Sequence, residues 1–388
     1  MRTITTTDDL AQFCNAAKSE PYVTIDTEFL RERTYWSKLC LIQMALPSGG
    51  PGKGDAVLID PIEGETMSMD PLYDLFRHKA TVKVFHAARQ DLEIFFVEGN
   101  VFPDPLFDTQ VAAMVCGFGE QVGYETLVKK IAKESVDKSS RFTDWSRRPL
   151  SEAQKIYALA DVTHLRLVYE FLAAQIQKSG RQRWVDEELA VLTDPATYHV
   201  EPADAWQRVK TRTNSGKFLG IVKELARFRE DFAKANNIPR SRIYKDDALL
   251  ELASSRPTNL EELGRSRLLL REGRRGDIAD GILAAVKAGM AMRPEDLPKP
   301  DLSREDLQVN PALADLLRVL LKAKSEEAGV AQKLLANASE LDAIAGGMRD
   351  LPALRGWRAE VFGNDALRLC RGEIALSAKG QDVKVVVL

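Results

Sequence analysis

Residues 22–36 read "YVTIDTEFLRERTYW". Tyr22, Val23 and Ile25 open the stretch as a buried strand, rich in aromatic and β-branched side chains. Asp26 and Glu28 follow, two positions apart, so the pleat sends both side chains off the same face of the sheet. Two carboxylates this close repel each other unless a cation lies between them. At a strand end, among hard oxygen donors, the natural cation is Mg2+ or Mn2+.

Spacing alone does not single out this pair. The chain carries three Asp-x-Glu triplets, Asp26/Glu28, Asp91/Glu93 and Asp186/Glu188. Such a triplet is ordinarily a solvated surface pair. The second lies in an amphipathic helical stretch and the third in a highly charged helix. Only the first ends an apolar strand, where burying acid without a counter-ion is costly. Two further acids stand in odd settings. Asp91 follows "VKVFHAARQ", in the first turn of a helix, a place that the helix dipole also favours. Asp161 lies mid-helix between "IYALA" and "VTHL", a poor interior for Asp. Tyr157, four residues earlier, shares its face.

Around these residues the first 115 positions alternate strand and helix patterns. "ITTTDDLAQFCNAAKS" reads as an edge strand, then a helix capped at Thr7 or Asp8. "YVTIDTEF" and "LCLIQMAL" read as neighbouring strands, and "PSGGPGKGD" as a hairpin loop into a third, "AVLID". "DPLYDLFRH", "ARQDLEIFFVEG" and "DTQVAAMVCGFG" read as helices, with the strand "TVKVFHA" before the second of them. The expected fold class is α/β: a mixed sheet with helices on its faces. "SEAQKIYALADVTHLRLVYEFLAAQIQKSG" is the strongest helix, opened by a Ser151/Gln154 capping box and ended by Gly180. "TDPATYHVEPADAW" marks a domain boundary. Two helical regions follow, separated by the proline- and charge-rich "AMRPEDLPKPDLSRED". They look like weak repeats: a long amphipathic helix, a short one, then an acidic helix capped by Ser or Thr. "EIALSAKGQDVKVVVL" forms a hairpin or a docking tail.

The chain has 388 residues, 45% hydrophobic and 29% charged, with a net charge of −3. That length corresponds to two or three domains with a real core. A near-neutral charge excludes a global nucleic-acid signature and leaves only local basic patches. Four scattered cysteines, Cys14, Cys40, Cys116 and Cys370, form no CxxC pair. They argue against a disulfide framework or a zinc site and suit a reducing compartment. With no signal-peptide pattern and no membrane-length apolar run, the expected location is the cytoplasm.

Taken in order, Asp-x-Glu on a strand, an Asp after a later strand and Tyr-x-x-x-Asp on a capped helix resemble the DEDD superfamily of 3′→5′ exonucleases. Within its tyrosine-bearing branch the chain looks like the ribonuclease D family. "VTIDTEF", "VFHAARQDLEIF" and "YALADV" match its three exonuclease motifs. The helical regions resemble a tandem pair of helicase-and-ribonuclease-D C-terminal domains, with "FREDFAKANNIPRSRIYKDDALLELASSRPTNLEEL" the clearer copy. The resemblance implies an RNase H-like exonuclease domain over 1–200, small all-α domains over 204–290 and 305–375, and a tail over 376–388. It implies two divalent ions, Mg2+ or Mn2+, held by Asp26, Glu28, Asp91 and Asp161, with Tyr157 orienting the attacking water. The expected partner is RNA with a single-stranded 3′ end, such as a tRNA precursor, and no membrane. The expected state is a monomer.

Five residues are candidates for holding the terminal nucleotide. Phe29 and Leu30 are placed to wedge against the last base. His86 and Gln90 precede Asp91 within reach of sugar or phosphate, and Gln43 is a polar residue in an apolar strand. Arg267, Arg271, Arg274 and Arg275 form a basic segment suited to phosphates. Two other readings keep parts of this picture: a DNA 3′→5′ exonuclease, and a decayed nuclease that only binds RNA. The presence of all four acids and the tyrosine weighs against decay.

Overall fold

Six strands form one sheet: β1 (Arg2–Ile4), β2 (Tyr22–Leu30), β3 (Lys38–Ala45), β4 (Ala56–Ile59), β5 (Val82–Phe85) and β6 (Leu106–Asp108). Their order is β1-β4-β3-β2-β5-β6. β4 runs parallel to β1 and antiparallel to β3, while β5 runs parallel to both β2 and β6. The sheet is therefore mixed, as expected, with β2 in its interior. β6 was not expected. It has three residues, "LFD", too few to show a period of two.

The computed structural model describes residues 1–50, 54–137, 140, 142–199, 201–211, 213, 215–298 and 308–388. Most of the hairpin-loop tip and much of the proline-rich linker lie outside the described residues. Two compact units emerge. One comprises Met1–Glu28, Leu39–Thr197 and Asp306–Leu388; the other comprises Phe29–Lys38 and Tyr198–Glu305.

The helices of the first stretch are α1 (Thr7–Ala17), α2 (Asp70–Arg77), α3 (Arg89–Gly99), α4 (Thr109–Val115), α5 (Tyr124–Ile131), α6 (Glu152–Ser179) and α7 (Gln182–Leu192). The cap of α1 is Thr6 rather than Thr7 or Asp8: Thr6 is extended, and its side chain accepts from Asp9 N–H. α6 begins with the Ser151/Gln154 capping box and ends at left-handed Gly180, as its sequence predicts. No helix among the described residues is long and apolar enough to cross a membrane.

Along β2 the even-numbered side chains share a face, and α6 lies along that face. The Tyr22 hydroxyl donates to Glu170 Oε1 at 2.5 Å. The Thr24 hydroxyl donates to the carbonyls of Ala45 at 3.2 Å and Val162 at 2.8 Å. Beyond Thr24 the same face carries Asp26 and Glu28, and the same helix carries Asp161 and Tyr157. Leu165, Val168, Leu172 and Ile176 of α6 are buried beside Val84 and Phe107 of the sheet.

The same core continues into the helices α13 (Pro311–Ala328), α14 (Gln332–Leu335) and α15 (Ala338–Ala345). Trp184 of α7 stacks on Trp357, centroids 4.7 Å apart and planes at 17°. Glu188 lies under this stack, taking hydrogen bonds from Trp357 Nε1 at 2.9 Å and Arg358 Nη2 at 2.7 Å. The charged triplet Asp186/Glu188 therefore does not form a solvated surface pair; one of its acids is buried against an arginine. Backbones also meet closely here. Ala331 N–H donates to Met114 O at 3.0 Å. Gly117 adopts φ +79°, and a Cβ on it would lie 2.6 Å from Gly329 O. The undecided 374–388 stretch is a hairpin, with β7 (Ile374–Lys379) antiparallel to β8 (Asp382–Val387).

The second unit contains α8 (Gly216–Ala235), α9 (Arg240–Ile243), α10 (Asp246–Ser255), α11 (Leu260–Gly264) and α12 (Gly276–Ala291). Its core includes Leu225, Tyr244, Leu249, Leu252 and Ile282. In both helical regions a long helix is followed by one of four residues and then a third helix, the order read as a weak repeat. The caps differ from expectation. Asn337 supplies a capping box to α15, and Asn259 caps the acidic α11, its side chain accepting from Glu262 N–H. Residues 29–38 join this unit through Tyr35. Arg240 Nη2 donates to the Tyr35 hydroxyl at 2.8 Å, the Tyr35 hydroxyl donates to Glu230, and Asn237 Oδ1 accepts from Tyr35 N–H at 3.1 Å.

Truncating Trp357 to Ala removes a wholly buried ring and leaves Glu188 short of a donor. A loss of about 3–5 kcal/mol is expected for the first unit, read by denaturant unfolding. An unchanged transition midpoint would show that the stack contributes little.

Candidate active site

Asp26, Glu28 and Asp161 each present a carboxylate oxygen, and these oxygens all lie within 4.8 Å of one another. No other such cluster of metal-capable side chains is found among the described residues. Two adjacent physical periods produce it. A strand repeat of two aims Asp26 and Glu28 together, and the packing of α6 on that face brings in Asp161. Asp91 is buried on the first turn of α3. Its Oδ1 accepts the hydroxyl proton of Thr27, the residue between the two strand acids. Tyr157 donates its hydroxyl to Asp161, one helical turn away.

Charge crowding is severe. Burial holds the Asp26 carboxyl well above the usual range, and the charges of Asp161, Asp91 and Glu28 push it the same way. Burial, then the charges of Asp161 and Asp91, push Glu28 up to about 9. Burial raises Asp91 to about 7, against the hydrogen bond from Thr27. The Tyr157 phenol is raised by burial and by the same acids, so it keeps its proton at neutral pH. A set of oxygen donors with this much uncompensated charge fits a hard divalent cation, and no thiolate or imidazole competes within the cluster.

A cavity of about 280 Å³ opens beside the acids, lined by Asp26, His86, Tyr124, Tyr157 and Asp161 among others. Tyr124 was not anticipated from the sequence. Its hydroxyl donates to the backbone carbonyl of Asp161, and its ring lies 5.5 Å from that of His86. Trp145 is buried with its ring 6.0 Å from Tyr157. Arg148 anchors that segment through Asp60, with Nε–Oδ2 at 2.6 Å and Nη2–Oδ1 at 2.7 Å. No local pattern announces these contacts, because each joins residues distant in sequence.

Of the five nucleotide-holding candidates, His86 alone lines the cavity. Gln90 is exposed on α3. Gln43 is wholly buried opposite Leu58, with neither amide atom partnered among the described residues. Phe29 and Leu30 are half-buried at the end of β2. In the basic segment, Arg274 donates to the carbonyls of Gly264, Ser266 and Leu269, whereas Arg267, Arg271 and Arg275 are exposed.

The 3′-5′ exonuclease domain family matches residues 1–177, and the HRDC domain family matches residues 218–286. Ribonuclease D of Jannaschia sp. (strain CCS1) is 62% identical over 384 residues, 99% of this chain and 99% of that one. The chain belongs to the ribonuclease D family. Its activity class is that of a 3′→5′ exoribonuclease, a hydrolase. The ribonuclease D of Granulibacter bethesdensis is 48% identical over 385 residues, covering 99% of this chain and 96% of that one. The crystal structure of Escherichia coli RNase D, "an exoribonuclease involved in structured RNA processing", matches with a TM-score of 0.83 at 29% identity. It covers 96% of this chain and 98% of that one. Along the chain the exonuclease match is thus followed by one HRDC match.

The crowded acids make stability depend on pH and metal. The folded pKa values of Asp26, Glu28 and Asp91 lie above the unfolded value of about 4, so between that pH and about 9 the folded state binds more protons. Metal-free protein should therefore lose stability as pH rises through this window. Bound Mn2+ offsets the charge, so the rise in Tm on adding Mn2+ should be larger at pH 8.5 than at pH 5. A pH-independent increment in thermal melts would contradict the assignment.

Proposed function

We propose that this ribonuclease D trims single-stranded 3′ ends of RNA, among them precursors of tRNA and other stable RNAs, releasing 5′-mononucleotides. The observation that carries the reading is the convergence of Asp26, Glu28 and Asp161 within 4.8 Å, with Asp91 and Tyr157 attached to the same group. In this proposal the four acids hold two divalent ions, Mg2+ or Mn2+. When bound, such ions make water a nucleophile near neutral pH and offset the negative charge developing on the phosphate.

The chain's own groups do the rest. Asp26, which feels the charges of Asp161, Asp91 and Glu28, would serve both ions. Thr27 fixes the orientation of the Asp91 carboxylate by its hydrogen bond. Tyr157 keeps its proton, because burial and then its acid neighbours raise its pKa. It therefore orients water by hydrogen bonding and does not remove a proton. Phe29 and Leu30, which directly continue the strand of the two acids, are assigned to the terminal base. Stacking of this kind ignores base identity, as a trimming enzyme requires.

The domain assignment that accompanies this reading gives catalysis to residues 1–200 and RNA binding to the helical region at 204–290. Arg267, Arg271 and Arg275 are among the exposed cations of that region and suit phosphates. The enzyme is proposed to act as a monomer in the cytoplasm.

The test is digestion of a 5′-labelled RNA with a single-stranded tail beyond a stem. Stepwise shortening from the 3′ end should require Mg2+ or Mn2+ and stop on chelation. Asp26→Ala should lower kcat roughly 10²–10³-fold, the scale of losing a charge-stabilising group. Tyr157→Phe should lower kcat about 10²-fold with KM little changed. Internal cuts, 5′ shortening, or full activity of Asp26→Ala would refute the proposal, and faster digestion of a matched DNA would favour the alternative substrate.

A further inference from the structure

The turn between β5 and α3 carries His86 on one side and Asp91 on the other, and two consecutive residues hold it. Asp108, 2% exposed, accepts from Ala87 N–H at 3.0 Å and Ala88 N–H at 2.8 Å. It also caps α4, taking Gln110 N–H at 2.7 Å and Val111 N–H at 3.4 Å. This carboxylate sustains an unusual backbone: Ala87 has φ +57°, a left-handed conformation that a residue with a Cβ adopts only at a cost. The neighbour, Thr109, is wholly buried and holds the ring. His86 Nδ1 lies 3.0 Å from Thr109 Oγ1. The Thr109 hydroxyl has one proton, and it points to Phe85 O at 3.1 Å.

That direction sets the tautomer. With its proton given to the Phe85 carbonyl, Thr109 Oγ1 offers His86 only a lone pair, so Nδ1 carries the ring proton. The other ring nitrogen, Nε2, is then an acceptor. Burial lowers the pKa of His86 against the pull of Asp108, which favours the neutral ring. The ring lines the same cavity as Asp26, Tyr157 and Asp161, and no protein partner for Nε2 is recorded among the described residues. A neutral acceptor is the wrong group for a phosphate oxygen, which itself needs a donor. It suits a hydroxyl.

We propose that His86 Nε2 accepts a hydrogen bond from a sugar hydroxyl of the terminal nucleotide, with Thr109 and Asp108 as positioning residues that fix the ring's tautomer and the turn. The site thus recognises the sugar of the 3′-terminal residue as a hydrogen-bond donor. This inference rests on the trimming reading above and assigns it a recognition element at the sugar.

The test compares three RNAs that differ only in the last sugar: ribose, 2′-deoxyribose and 3′-deoxyribose. The full chain is assayed with Mn2+, and kcat/KM is read for each. Unmodified enzyme should prefer the ribose end over one of the two deoxy ends by about three- to tenfold, the worth of one neutral hydrogen bond. Which deoxy end loses rate identifies the hydroxyl. In His86→Ala that preference should collapse to about one, because the variant loses rate on the ribose end and not on the affected deoxy end. His86→Gln, which keeps an acceptor, should retain part of it, and Thr109→Val should reduce it. A general loss of fold or metal binding would instead slow all three ends alike.

The proposal is overturned if His86→Ala, melting like the unmodified enzyme with and without Mn2+, lowers kcat/KM equally on all three ends. It is likewise overturned if the unmodified enzyme treats all three alike. Failure of the unmodified enzyme to shorten even the ribose end would sink the trimming reading itself, and the sugar contact with it.

Discussion

The site depends on the alignment of one strand with one helix. β2 runs from Tyr22 to Glu28 over about 20 Å, at roughly 3.3 Å per residue. α6 covers a similar length between Glu170 and Tyr157, at 1.5 Å per residue. Tyr22 meets Glu170, Thr24 meets the Val162 carbonyl, and Asp26 and Glu28 meet Asp161. Every second residue of β2 from Tyr22 to Glu28 thus meets α6. A slip of one residue in β2 would turn both acids to the other face of the sheet. The buried threonine at position 24, bonded to strand and helix backbone alike, prevents that slip.

The acids themselves oppose folding. Four carboxylates, two of them buried, cannot all be ionised in so small a volume without a counter-charge. The surrounding fold compensates by rigidity elsewhere: the apolar stripe of α6, the Arg148–Asp60 pair, and the hydrogen bonds of Asp108 around the Ala87 turn. This division is typical of functional sites, where local cost is borne by structure that has no chemical role.

Much of this was legible in the chain itself, and the legible parts are those with short periods. Asp26 with Glu28, Tyr157 with Asp161, the Ser151/Gln154 box and the Gly180 stop all follow from spacings of two to four residues. The remainder depends on contacts between distant positions. Thr27 with Asp91, His86 with Thr109, and Tyr124 with the Asp161 carbonyl leave no periodic trace. Glu188 was misread because a charged triplet in a polar helix looks solvated, whereas Trp357 and Arg358 arrive from 169 and 170 residues away. Gln43 stood out as a polar residue in an apolar strand, yet it is buried away from the cavity. β6 escaped notice because it is short and follows two prolines.

The core shared between the sheet and the residues after 308 bears on how the polypeptide is made. Trp184, Glu188 and Arg181 sit mid-chain, but their partners Trp357, Arg358 and Gly329 are synthesised much later. On a ribosome, domains ordinarily settle one after another from the amino end. Here the intervening helical unit, built around Leu225 and Tyr244, can close while the earlier nuclease framework still waits for its missing wall. Translation must therefore proceed well beyond the last acid of the site before that framework is fully enclosed.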